Sequence, residues 1–205
     1  MKPLLTPREL ATLAIFTALT AVMAQIAFPL PFTPVPISFG LVAVYTAGLM
    51  LKPKHAVLTQ LCYLLLGAVG APVFGGFRGG PAALFGATGG YLLLYPAVAA
   101  VVSMALNRRK SLQSEARQGR GALVFKAGIS MCIALILLYL GGTLWLCAIT
   151  GNTFKAGLAL AVYPYIPLDV LKIAFCTAVM LPLRARLRRM HLLLPDELSE
   201  KGNPS

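Results

Sequence analysis

Six apolar stretches, at residues 10–28, 39–51, 55–74, 85–106, 122–149 and 163–183, alternate with short polar, glycine-rich or proline-rich joins. About 20 apolar residues cross a hydrocarbon core as a helix, and shorter runs suffice where loops dip into the protein. The pattern therefore predicts six membrane-spanning helices, the second of them short. The first follows Lys2 and Arg8 and so imitates a secretory signal. It is longer than the roughly 7 to 15 apolar residues of such a signal, and further spans follow, so we read it as the first membrane helix.

The joins carry the topology. Placing the N-terminus in the cytoplasm puts all 18 lysines and arginines inside except Arg78 and Lys155, which fall outside, and Lys172, which is embedded. The cytoplasmic excess of positive charge predicts six helices with both termini cytoplasmic, an all-α integral membrane protein folded as one compact bundle over residues 1–190. Residues 191–205 read as a polar cytoplasmic tail, its stretch from Leu194 to Ser205 expected to be disordered. Composition agrees: 58% of the 205 residues are hydrophobic, 12% are charged, and mean hydropathy is +0.80. A net charge of +12 would suggest nucleic acid in a soluble chain. Here it reports orientation, and the bilayer is the expected partner. Cys62, Cys132, Cys147 and Cys176 sit in apolar runs without Cys-x-x-Cys spacing, which predicts buried free thiols and neither a metal site nor a disulfide framework.

The last apolar run contains Asp169 and Lys172. A charge at the centre of a membrane helix costs about 2.5 to 3.5 kcal/mol on insertion scales, so two in one segment call for a compensating role. Residues three apart share a helix face, where an acid and a base offset each other and still offer an acceptor and a donor to a small polar ligand. Counted back from Arg184 at ~1.5 Å per residue, both lie nearer the outer face. The competing role is a packing bridge between helices, or a lysine snorkelling outward.

Residues 65–81 hold six glycines with Pro72 and Pro81, a composition that no regular helix tolerates, and so predict a folded external loop. Its one charge, Arg78, suits a carboxylate or a polarised carbonyl, or else simply meets water or lipid phosphate. Phe74 and Phe77 could close over a bound ring or belong to an interfacial belt. The proline cluster at residues 28–38 is an extended join, either lid or connector. Gly89, Gly90 and Tyr91 open the fourth helix, where glycines permit close backbone approach and the tyrosine brings a hydroxyl to membrane depth. Ala11, Ala14, Ala18 and Ala21 form a strip of small residues along the first helix, suited to tight packing against another helix of this chain or of a partner.

Taken in order, FTPVPIS, LLGAVGAPVF with its glycine-rich continuation, GATGGYLL and YPYIPLDVLKIAF resemble the BioY family, the biotin-binding S components of energy-coupling factor transporters. The resemblance runs from about Ala11 to Leu183. It implies a six-helix bundle that binds biotin near the outer face and docks on a transmembrane coupling protein served by two cytoplasmic ATPases, with no cofactor beyond the transported ligand. By the same resemblance Asp169 and Lys172 match the family's Asp-x-x-Lys, Gly89, Gly90 and Tyr91 its Gly-Gly-Tyr, and Ala14 and Ala18 its Ala-x-x-x-Ala docking motif. Phe74 and Arg78 are candidate ligand contacts. The chain departs from the family at Ser38, Ala87 and Leu168, positions that shape loops and leave the charged pair intact.

Two other functions compete. The bundle could serve a different vitamin, because a fold does not fix its pocket. A membrane enzyme would need convergent polar groups, yet away from their ends the spans hold Asp169 and Lys172 as their charges, with Lys126 near the cytoplasmic start of the fifth, His55 at a cytoplasmic edge and His191 beyond the last helix. No Walker motif is present. Energy for uptake must come from a partner, or transport is passive exchange.

Overall fold

A computed structural model describes residues 6–31, 33–107 and 120–189 of the protein. Helix α1 (Pro7–Gln25) starts on a capping box: Glu9 N donates to Thr6 Oγ1 at 3.3 Å, and Thr6 N donates to the Glu9 carboxylate at 2.7 Å. It buries Leu13, Thr17, Thr20 and Ala24 while Leu10, Ile15 and Val22 face outward. Threonines inside and branched aliphatics outside invert the pattern of a soluble protein, as a lipid solvent requires. Thr17 donates to the Thr59 carbonyl and Gln60 to the Thr20 hydroxyl, so these inward groups tie α1 to its neighbour α3 (Pro53–Ala68). At one end of the same pair of helices, His55 Nε2 meets Glu9 Oε1 at 3.0 Å.

Between α1 and α2 (Gly40–Met50), the proline-rich join is pinned by two short antiparallel strands, β1 (Ala27–Phe28) and β2 (Ile37–Ser38), with Ala27 opposite Ser38. The first helix thus ends at Gln25, ahead of the boundary expected at residue 28. Every residue of α2 is buried. At ~1.5 Å per residue it is far shorter than the ~30 Å hydrocarbon core, and it runs inside the bundle packed on α1, α3 and α6 (Tyr95–Asn107).

The fourth apolar stretch is broken into α4 (Pro81–Phe85), α5 (Gly89–Leu93) and α6. Gly86 ends the first piece, and Pro96, which has no N–H, sits in the first turn of the third. The long helix α7 (Arg120–Thr150) packs on α5 and α6 and turns back through α8 (Phe154–Ala161). Thr153 caps α8, accepting from Ala156 N at 3.4 Å, in a stretch that reads from sequence as a mere connection. The last rod is α9 (Ile166–Phe175), a π-helical turn at Cys176–Met180, and α10 (Leu181–Arg189). Pro182 lacks the N–H needed to continue regular pairing, which accounts for the widened turn just before it.

Four helical segments among the described residues are long and apolar enough to cross a membrane, Pro7–Gln25, Gly89–Leu106, Gly121–Thr150 and Ile166–Leu187. Two sequence expectations change. Arg184, read as a water-facing topology marker, is buried on α10 and donates Nη2 to the Leu106 carbonyl at 3.3 Å. There a cation meets the buried C-terminal carbonyl end of α6. Of the cysteines, all free, Cys176 is buried but Cys132 is exposed on the outer surface of α7. The tail at 191–205 and most of the basic join at 107–121 lie outside the described residues.

Candidate functional site

The glycine-rich loop after α3 folds back on the helix it leaves. Phe74 N donates to the Arg78 carbonyl at 2.9 Å and Arg78 N returns to the Phe74 carbonyl at 3.1 Å, closing a tight turn. Gly76 (φ 74°) and Phe77 (φ 57°) occupy the left-handed region inside it. For phenylalanine that conformation needs support, and Gln25 supplies it by accepting from Phe77 N at 2.8 Å. Phe74 is then driven inward to 1% exposure, its ring lying where a side chain on Gly67 would stand. Phe77 remains exposed, and Arg78 is exposed with Nε donating to the Gly75 carbonyl at 3.0 Å.

This turn forms one wall of a cavity of about 410 Å³, the size of a small-molecule pocket. Val35 and Ser38 of the proline-rich join face it from another side, and Tyr91 and Tyr95 close it from α5 and α6. Tyr63 of α3 stacks on Tyr95 at 6.2 Å between centroids and meets Phe74 edge-on at 5.4 Å, giving the cavity an aromatic floor. A further hollow of about 360 Å³ adjoins it and shares Pro34, Pro36, Gly75 and Arg78, so Arg78 lies against both spaces.

Tyr91 is fixed by a 3.0 Å hydrogen bond between its hydroxyl and Thr143 Oγ1. Gly89 and Gly90 do not line the cavity; a side chain on Gly89 would strike the Leu84 carbonyl, and one on Gly90 would strike Trp145. Their smallness lets α5 press against α4 and α7 and sets Tyr91 in place.

Asp169 and Lys172 are likewise outside the cavity lining, at 4% and 8% exposure. Lys172 Nζ donates to Asp169 Oδ1 at 2.8 Å, and the hydroxyl of Tyr139 on α7 donates to Asp169 Oδ2 at 2.5 Å. One link joins this cluster to the cavity wall. Tyr165, whose carbonyl accepts from Asp169 N at 2.8 Å, donates its hydroxyl to the carbonyl of Val35. The structure thus gathers Phe74, Arg78 and Tyr91 around one cavity, with the ion pair in the adjoining layer.

Ala14 and Ala18 lie elsewhere, exposed on the outward face of α1 beside Ile15 and Leu19. Internal packing does not explain that part of the alanine strip. Sequence reasoning missed Tyr63, Tyr95, Tyr139 and Tyr165. The usable signal was the tyrosine itself, since a phenol within an apolar segment needs a hydrogen-bond partner.

The chain matches the BioY family over residues 1–189. It is 36% identical over 174 residues to a probable biotin transporter, BioY, of Pyrococcus horikoshii, covering 85% of this chain and 93% of that protein. Against the biotin transporter BioY of Thermotoga maritima it is 29% identical over 177 residues, covering 86% and 96%. The solved S-component for biotin from an ECF-type ABC transporter superposes with a TM-score of 0.75 at 24% identity, over 90% of this chain and 95% of that one. That last likeness concerns the fold. On the length of the family match and on the shared identity with near full-length relatives, this chain belongs to the BioY family.

Proposed function

We propose that this chain is the biotin-binding S component of an uptake system in the cell membrane, energised by a transmembrane coupling protein and a pair of cytoplasmic ATPases. The observation that carries the reading is the family match across residues 1–189. A half-open aromatic cavity beside a buried ion pair supports it, because that arrangement takes up a small, mostly apolar ligand with a few polar groups. Biotin is such a ligand: a neutral bicycle with a urea edge and a carboxylate tail.

In this reading the ring lies among Phe74, Tyr63 and Tyr91, and the urea N–H groups donate to Asp169. Lys172 donates to the urea carbonyl or the tail carboxylate, and exposed Arg78 attracts the tail at the mouth. Gly89 and Gly90 act by positioning Tyr91. The outward Ala14 and Ala18 face of α1 receives helices of the coupling protein. Six spans, with α2 and α3 completing the four longer ones, leave both termini in the cytoplasm. Residues 1–190 make the single membrane domain.

Equilibrium binding of radiolabelled biotin to the purified protein tests the function. Saturable binding that unlabelled biotin displaces is expected, and none would overturn the proposal. Topology is tested separately: reporters fused after Lys110 and after Arg189 should read cytoplasmic and one near Arg78 external. An external reading after Lys110 would rule out the six-span arrangement.

A further inference from the structure

Asp169 sits in a more constrained setting than a simple ion pair. Its Oδ1 is held at 2.8 Å by Lys172 from the same helix, and its Oδ2 at 2.5 Å by Tyr139 from α7. A carboxylate offers about four lone-pair sites, so two remain for other donors. With Lys172 of its own helix on one oxygen and Tyr139 of α7 on the other, rotation about the terminal torsion of Asp169 is blocked. That torsion is otherwise broad and roughly two-fold in carboxylates. Lys172 alone cannot do this, since a flexible ammonium three residues away follows the oxygen it holds.

We infer that Tyr139 is a positioning residue: its hydroxyl fixes the plane of the Asp169 carboxylate so that both oxygens meet paired N–H donors at once. This rests on the proposed function and adds to it a residue outside the sequence motif. The ligand chemistry that benefits is a cyclic urea, whose two N–H groups point the same way and pair with both oxygens of a carboxylate only when the planes coincide. A single-donor ligand gains little from such a lock. Tyr139 touches the site through Asp169 and is only half-buried, so its hydroxyl can be removed without opening the core.

The test is a double-mutant cycle of Tyr139→Phe and Asp169→Asn, read as radiolabelled biotin affinity and thermal unfolding midpoint in detergent. Tyr139→Phe should weaken biotin at least about tenfold with little change in midpoint, the size expected for losing a hydrogen bond to a charged group. In the Asp169→Asn background the same change should matter less than about twofold, because residues acting as one unit are not additive. A second measurement does not depend on that background. Affinity for a biotin analogue methylated on its urea nitrogens should be equal in wild type and Tyr139→Phe, so that discrimination against it shrinks. Losses that multiply in the cycle, or biotin binding unchanged in Tyr139→Phe, would overturn the inference while leaving the parent reading intact. Asp169→Asn that binds biotin normally would overturn the inference together with the ligand role given to Asp169, whereas wild-type protein that binds no biotin would overturn the parent reading as well.

Discussion

Asp169 and Lys172 meet because a helix brings residues three apart onto one face, whereas Phe74 and Arg78 meet Tyr95 and Val35 only because two loops fold against the bundle. The first assembly is buried, charged and tied by its own side chains. The second is apolar, half open, and held by hydrogen bonds to its backbone: Phe74 to Arg78 across the turn, Phe77 N to the Gln25 side chain, and the Tyr165 hydroxyl to the Val35 carbonyl. A rigid charged layer can select a ligand's polar edge, and a loop-built chamber can admit and enclose its body. The division predicts that substitutions in the two layers differ in size and in kind.

The largest effects belong to the ion pair. Removing one partner of a buried pair leaves a bare charge and costs about 3 to 5 kcal/mol. Asp169→Asn and Lys172→Met should each lower the thermal midpoint and weaken biotin by at least about tenfold, equivalent to roughly 1.4 kcal/mol. The combined substitution should recover much of the stability, since no unpaired charge remains, but not the affinity. Normal binding by the stable double variant would make the pair a packing bridge and collapse the contrast between the layers.

Next comes the chamber. A side chain on Gly67 would overlap the ring of Phe74, which could yield only by moving into the cavity it lines. Gly67→Ala should cost about 1 to 3 kcal/mol through overpacking and weaken biotin by shifting the turn that carries Arg78. Gly128→Ala on α7 is the control, because nothing lies within 4 Å of its added carbon. Equal loss of affinity in both would show that glycine content, and not the contact with Phe74, sets the chamber's shape.

These two layers were unequally legible in the sequence. The ion pair announced itself because charge inside an apolar run is costly, and its spacing alone fixed the shared face. The chamber did not. Phe74, Arg78 and Tyr91 could be named as candidates, but Tyr63 and Tyr95 look like any aromatics of a membrane segment, and the meeting of these side chains depends on the left-handed turn at Gly76 and Phe77 and on Gln25 from a distant helix. The six apolar stretches were visible, yet the breaks at Gly86 and before Pro96 were hidden inside a continuous hydrophobic run. In lipid both faces of a helix are apolar, so periodicity marks the inside only through scattered polar residues such as Thr17 and Thr20 on α1.

Arg78 should have a smaller effect than either Gly67 or the pair. It is exposed, and exposed charges contribute about 0.2 to 1 kcal/mol, so Arg78→Ala should weaken biotin no more than about fivefold. The loss should fade at high salt. It should also vanish for biotin amide, whose tail carries no charge. An effect as large as that of Asp169→Asn, or one that persists with the amide, would move Arg78 from the mouth into the selecting layer.

The smallest effect on affinity is expected from α1, which carries the third surface of the molecule. Its inward side contributes Ala24 to the cavity wall, while Ala14 and Ala18 face out beside Ile15 and Leu19. Small residues on an outward face allow another helix to approach closely, and bulk there keeps it away. Replacing both alanines with tryptophan should therefore leave biotin affinity unchanged, since neither touches the ion pair or the chamber. Co-purification with a coupling protein and biotin uptake by cells should both be lost. Because the substituted rings project toward lipid, the unfolding midpoint should hold, which separates a docking defect from a folding defect. Loss of biotin binding in this variant would mean that α1 transmits strain from its outer face to Ala24. The chamber would then be set by helix packing as much as by its loops.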